Sequence, residues 1–141
     1  MVRMLIPYEP VEQARPRFTS RGKFVRVYDP PKVAKYKKLV RQYVAEEMTM
    51  RGVEQYHDTA LKVTFVFFRP IQKSVSKAER YRRLTNQHKP VQKPDTSNYI
   101  KSLEDALNGV LWDDDSRITQ IKALKRYGEL PSTEITVEED S

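Results

Sequence analysis

The chain has 141 residues, 38% of them hydrophobic and 32% charged, which suits one folded domain with a modest core. It holds no cysteine, so a disulfide framework, a thiolate zinc site and a cysteine nucleophile are excluded, and no apolar run approaches the roughly 18–20 residues that cross a bilayer. With 26 Lys/Arg against 19 Asp/Glu the formal net charge is +7, and it is unevenly spread. Ten basic residues lie between Arg15 and Arg41 against the single acid Asp29, and eight between Arg69 and Lys93 against Glu79. The acids collect at 95–115 and 129–140. Clustered Lys/Arg neutralise phosphates and release counterions, so the pattern suggests a polyanion partner, although a solvated basic face explains composition alone equally well.

The opening "MVRMLIPYEP" has neither the apolar stretch nor the cleavage site of a signal peptide, and a cytoplasmic protein is expected. "RMLIPYE" alternates weakly, as an edge strand ended by Pro10 would. "RPRFTSRGKFVRVYD" predicts a hairpin around Gly22, with Arg17, Arg21, Lys23 and Arg26 facing outward. Asp29-Pro30-Pro31 reads as a helix start with Asp29 as the capping acid. The helix runs to about 51–52, because Val33, Tyr36, Leu39, Val40, Tyr43, Val44 and Met48 recur at 3.6 spacing. "TALKVTFVFFR" is a central strand with Leu61, Val63, Phe65 and Phe67 on one face. Ser76 and Glu79 form a capping box that opens a short, arginine-rich helix through 87. After an extended "KPVQKPD", a further helix spans 96–108 and ends at Gly109. "RITQIKALKRY" and "STEITVEE" are the last strands. Strands and helices interleave without a strict βαβ rhythm, which predicts one mixed-sheet α/β (α+β) domain over 1–141, its sheet flanked by helices.

On a helical wheel Tyr99, Ile100, Leu103, Ala106, Leu107 and Val110 share one arc. Asn98, Lys101, Ser102 and Asp105 lie opposite, with Asp95 at the N-terminal rim. An ordinary solvated face accounts for this on periodicity alone. The sequel "LWDDDSRI" adds Asp113, Asp114 and Asp115 behind an apolar Trp112, which is expected to pull the aspartates back towards the helix. Converging carboxylates repel unless a cation lies between them, and hard oxygen donors without Cys or His select Mg²⁺ or Mn²⁺. Neither His57 nor His88 has metal-ligand spacing. A carboxylate-held divalent ion beside basic surfaces is equipment for phosphodiester hydrolysis.

The run "KPDTSNYIKSLEDALNGVLWDDDSRI" closely resembles the core signature of the RusA family of Holliday-junction resolvases, small endodeoxyribonucleases often carried by phages and prophages. The early "ARPRFTSRGKFVRVYDPPKVAKYKKLV" is similar to that family's basic hairpin and helix. The resemblance implies a RusA-like fold and a homodimer in the cytoplasm of a bacterial host, away from any membrane. It would bind four-way or other branched DNA and cut two opposed strands with Mg²⁺, for which Mn²⁺ can substitute, in recombination and repair. It implies Asp95, Asp114 and Asp115 as metal ligands, Asn98 as an orienting group, Lys101 as the catalytic lysine and Asp105 as a further member of the site. Arg15, Arg17, Arg21, Lys23, Lys35, Lys38, Arg80 and Arg83 are the candidate phosphate contacts on charge alone. The family pattern Asp-x-Asp-Asn departs here to Asp95-Thr96-Ser97-Asn98, one charge poorer, with Asp113 offering a compensating carboxylate. The alternatives are a catalytically weakened or inactive junction- or duplex-binding protein on the same scaffold, and a basic structural protein whose acidic turn pairs with its own lysines.

Overall fold

The alternation at the N-terminus forms a short strand, Val2–Ile6 (β1), burying Val2, Met4 and Ile6. The computed structural model describes residues 1–15, 17–22 and 24–141, and leaves aside the side chains of Arg17, Arg21, Phe24 and Arg26. Strands Arg17–Arg21 (β2) and Phe24–Tyr28 (β3) pair antiparallel as the expected hairpin, a two-stranded sheet of its own. Gly22 takes φ +62 at its tip, a backbone conformation that glycine adopts without steric cost. Phe18, Val25 and Val27 lie exposed on one side of this arm.

The long helix Pro31–Arg51 (α1) begins with proline and ends where Gly52 turns left-handed, its N–H bonding back to the last turn. Val33, Tyr36, Val40, Val44 and Met48 are its buried stripe. Asp29 does not cap it. Pro30 occupies the cap position, and the Asp29 carboxylate instead accepts from Lys37 Nζ at 2.7 Å and Gln13 Nε2 at 3.0 Å. A proline directly after the acid holds that side chain away from the first free amides and leaves it to the cation further along the helix.

Strand Leu61–Pro70 (β4) is central as expected, and it buries Leu61, Val63, Phe65 and Phe67 completely on one face. Each is worth roughly 1.5–3 kcal/mol relative to exposure. Ser76 Oγ accepts the Glu79 N–H at 3.1 Å and opens the helix Lys77–Leu84 (α2), which stops short of 87 because Asn86 takes φ +62. The helix Thr96–Leu107 (α3) follows, then a single 3-10 turn Asp115–Arg117 and the strands Ile118–Gly128 (β5) and Ser132–Glu139 (β6).

The four-stranded sheet has the order β1-β6-β4-β5, with β4 parallel to β5 and the other pairs antiparallel. It is the mixed α+β sheet expected, but α1 and α3 both pack on the face of Leu61, Val63, Phe65 and Phe67, where Phe67 and Tyr99 stack at 5.2 Å. β5 is an edge strand whose residues Thr119, Gln120, Ile121 and Lys122 are exposed in succession, Ile121 at 44%, so its burial does not alternate as that of β4 does. The acidic tail is mostly β6. Its end is tied down by Asp140, which accepts from Thr119 Oγ1 and Gln120 Nε2. Among the described residues no helix is long and apolar enough to cross a membrane.

Candidate active site

Two opposite ends of α3 carry the candidate residues. At its N-terminus Asp95 is the cap residue, and its carbonyl accepts from the amides of Asn98 at 3.0 Å and Tyr99 at 3.3 Å. The Asp95 carboxylate is exposed and has no hydrogen bond among the described residues. The loop that presents it is held by β5: Lys125 Nζ donates to the carbonyls of Gln92 at 2.7 Å and Pro94 at 3.0 Å, and Arg69 donates to Gln92. Burial and the neighbouring Arg69 push the Lys125 ammonium below its ordinary value, and Asp95 opposes the shift, so the Lys125 cation lies within electrostatic reach of that carboxylate.

One turn on, Asn98 is half-buried, because its carbonyl accepts the Gln13 N–H at 3.0 Å. Ser97 and Lys101 are exposed. Helical spacing puts Ser102 on the open face with them, yet it is fully buried. Its hydroxyl donates to the Val11 carbonyl, because the loop between β1 and β2 crosses this side of the helix. A helical wheel has no means of showing such a crossing.

At the other end the chain reverses tightly. Gly109, at φ +76, donates its N–H to the Trp112 carbonyl at 2.9 Å. Gln55 Nε2 binds the Gly109 and Val110 carbonyls, and Tyr56 exchanges backbone hydrogen bonds with Leu111 and Asp113. Trp112 is completely buried, and its indole N–H donates to Asp115 Oδ1 at 2.6 Å. The Asp115 amide donates to Asn108 Oδ1 at 3.1 Å. The aspartate is therefore oriented by a core side chain and a helix-end amide. Burial raises its carboxyl above the usual range, and the neighbouring Asp105 and Asp114 raise it further.

Glu104, which helical spacing does not single out, belongs to this group. It is half-buried, and its carboxyl is raised by burial and then by Asp115 and Asp105. Asp114 is exposed and accepts from Ser116 Oγ. Asp113 is committed elsewhere: Arg117 donates to it at 3.1 Å and the Asp58 N–H at 3.2 Å, and Arg117 holds its carboxyl down at about 2. A carboxylate so occupied is poorly placed to compensate for Ser97.

Asp105 is partly neutralised by Lys37, whose ammonium lies 3.1 Å from it and 2.7 Å from Asp29. Arg41 donates to the carbonyls of Ala106 at 3.1 Å and Asn108 at 2.9 Å, placing a cation at the negative end of α3. Lys37, Lys38 and Arg41 line an open groove of about 670 Å³ beside Asp29 and Val110. Of these, only Lys38 stands among the phosphate contacts expected from the sequence. Lys37 and Arg41 are legible as members of the first basic block, but their aim at α3 follows from helix packing.

Of the other basic candidates, Arg15, Lys35 and Lys38 are exposed. Arg80 lies 3.7 Å from Glu129. Arg83 is bound to Glu79 at 2.7 Å and lies over the Tyr127 ring at 4.6 Å, so a phosphate would compete with both contacts. Lys23 and the side chains of Arg17 and Arg21 lie outside the described residues.

The donor chemistry at the C-terminal end of α3, carboxylates without thiol or imidazole, fits a hard divalent cation. One ion shared by Asp95 and Asp115 does not fit within this chain. Asp95 and Asn108 are 13 positions apart, about 20 Å at 1.5 Å per residue, and Asp115 is anchored at Asn108. Oxygens on one Mg²⁺, each bound at about 2.1 Å, lie within about 4 Å of each other. Among the described residues no three His, Cys, Asp or Glu side chains are arranged to hold a metal ion.

The sequence profile of endodeoxyribonuclease RusA matches residues 7–138. A Bacillus subtilis (strain 168) protein, described as the uncharacterized protein YqaN, is 34% identical over 135 residues, covering 94% of this chain and 92% of that relative.

Proposed function

Since the chain belongs to the RusA endodeoxyribonuclease family, we propose that it is a Mg²⁺-dependent nuclease that resolves four-way DNA junctions by paired cuts in opposed strands. The observation that carries this reading is Asp115, a carboxylate fixed by the buried indole of Trp112 among Asp105, Asp114 and Glu104, within the stretch that resembles the family's signature. Carboxylates crowded at a cost in repulsion are the signature of a site that awaits a cation. A divalent ion bound there supplies an activated water and offsets charge on the phosphate.

The chain's own residues do the rest. Asp115 and Asp114 offer oxygens with fixed or nearly fixed direction, and Asp95 offers an unencumbered carboxylate. Lys101, a cation with no ion pair among the described residues, is available to a phosphate oxygen or leaving group. The basic groove on α1, with Arg15, Lys35 and Lys38, attracts the DNA backbone without reading bases. The second reading, a junction-binding protein with weakened cleavage, is favoured by one observation: Ser97, exposed beside Asp95, brings no charge where the family pattern has aspartate.

The deciding experiment is incubation with an end-labelled four-way junction, with and without Mg²⁺. Nicks in opposing strands that need the metal are expected. Binding in both conditions with cleavage in neither overturns the nuclease reading in favour of the second.

A further inference from the structure

Resting on the nuclease reading above, we infer that Lys125 of β5 is a positioning residue for that reaction: it clamps the loop before α3 by two backbone carbonyls and so sets the direction of the Asp95 carboxylate. The first ground is a break in the pattern of the sheet. β5 runs parallel to β4, with Phe65 opposite Ala123, Phe67 opposite Lys125 and Arg69 opposite Tyr127. Partners across a parallel ladder share a face, as do alternate residues along each strand. Phe65 and Phe67 belong to the core on the face that carries α1 and α3, and Ala123 packs against it. The next position of β5 on that face is Lys125, a lysine where the core side calls for an apolar residue. A local rule broken in this way is expected at a functional site.

The second ground is where the ammonium goes. Phe67, its neighbour across the ladder, stacks with Tyr99 in the first turn of α3, so the Lys125 side chain emerges beside the start of that helix. There Nζ lies 2.7 Å from the Gln92 carbonyl and 3.0 Å from that of Pro94, the residue directly before Asp95. Arg69, on the same face of β4, reaches only Gln92, at 3.3 Å. The loop has little else to hold it: among the described residues no main-chain amide of 89–95 donates a backbone hydrogen bond. The ammonium is half-buried and donates to neutral carbonyls rather than to a carboxylate, which loses hydration without forming an ion pair. Stability alone is better served by an apolar side chain at this position. What the lysine supplies is a fixed direction for the residue that follows Pro94.

The test compares the wild-type chain with Lys125→Met, which keeps the side chain's length and loses both bonds, and with Lys125→Arg, whose guanidinium can donate to two carbonyls. Under single turnover on a labelled four-way junction with Mg²⁺, Lys125→Met is expected to cut about tenfold to a hundredfold more slowly, the cost of displacing a reacting group by around 1 Å. Junction Kd is expected to stay at the wild-type value, and Lys125→Arg to recover most of the rate. A Lys125→Met chain that cuts at the wild-type rate overturns the inference. So does a loss of affinity as large as the loss of rate, which makes Lys125 a DNA contact instead. Wild-type inactivity would strike at the nuclease reading and leave the clamp to be decided by a second measurement.

That measurement needs no cleavage. The chain has no cysteine, and Val91 in the clamped loop is 90% exposed, so Val91→Cys carries a nitroxide spin label there without displacing a packed side chain. Adding Lys125→Met is expected to sharpen the spectrum of this label, while Lys125→Arg leaves it close to that of the parent. A control label at Met50→Cys, exposed in the last turn of α1, is expected to be indifferent to both changes. A loop spectrum that does not respond to Lys125→Met overturns the inference. Sharpening at both labels also overturns it, being the mark of a general loosening of the fold.

Discussion

Replacing Trp112 with Phe isolates the contact that fixes Asp115. The substitution removes the indole N–H that lies 2.6 Å from Asp115 Oδ1 and part of a side chain that is 0% exposed. A hydrogen bond to a charged acceptor is worth about 1.5–3 kcal/mol, and the half-exposed carboxylate places this one near the lower end, about 1.5 kcal/mol. The missing ring volume adds about 1–2 kcal/mol, for a total of about 3 kcal/mol. The packing part persists when Asp115 is already Ala, whereas the hydrogen-bond part does not. A double-mutant cycle of Trp112→Phe and Asp115→Ala, measured by urea unfolding, therefore yields a coupling of about 1.5 kcal/mol. Far-ultraviolet circular dichroism is the suitable probe, since Trp112 is the chain's only tryptophan. Trp112→Phe is also expected to reduce junction cleavage with little effect on junction binding. A coupling under about 0.5 kcal/mol, the usual error of additivity, would refute the claim that the indole positions the carboxylate.

Three further outcomes follow from separate parts of the structure. Asp113, held at about 2 by Arg117 against an ordinary 3.8, stabilises the fold above the unfolded value. That contribution disappears as pH falls towards 2, so Asp113→Asn flattens the acid limb of the stability curve, and an unchanged limb contradicts the ion pair. Ser97→Asp is expected to lower the Mg²⁺ concentration for half-maximal cleavage; an unaltered dependence places Ser97 outside the ion's surroundings. Lys35→Ala with Lys38→Ala should weaken junction affinity similarly for all sequences and reduce the slope of log Kd against log salt by about one for each phosphate no longer neutralised. A wild-type slope would remove α1 from the DNA path.

The elements were legible because each had a strong local cause: alternation in β4, a proline start and 3.6 spacing in α1, and the Ser76–Glu79 box in α2. Contacts between elements were less legible. Asp29 reads as a cap, yet its partner is Lys37 on the helix it precedes. Ser102 reads as exposed, yet a loop some ninety residues earlier covers it. Trp112 does anchor the aspartates against the helix, as its apolar character implies, but at the end where the chain emerges. That outcome follows from chain length. Only the turn through Gly109 and Trp112 separates the helix from Asp113, and such a turn is too short to return to Asp95. Glu104 escapes notice in the sequence because a lone glutamate on a helix surface is the commonest of residues; its burial beside Asp115 is a tertiary fact.

The central claim is that Asp115 serves DNA strand scission rather than merely decorating a basic protein. Its most direct measurement compares wild-type chain and Asp115→Asn on one labelled four-way junction in Mg²⁺, recording binding and strand cutting in the same samples. The account predicts matched, opposed nicks from the wild type, and undiminished binding without nicks from the variant. Equal cutting by both proteins would contradict it.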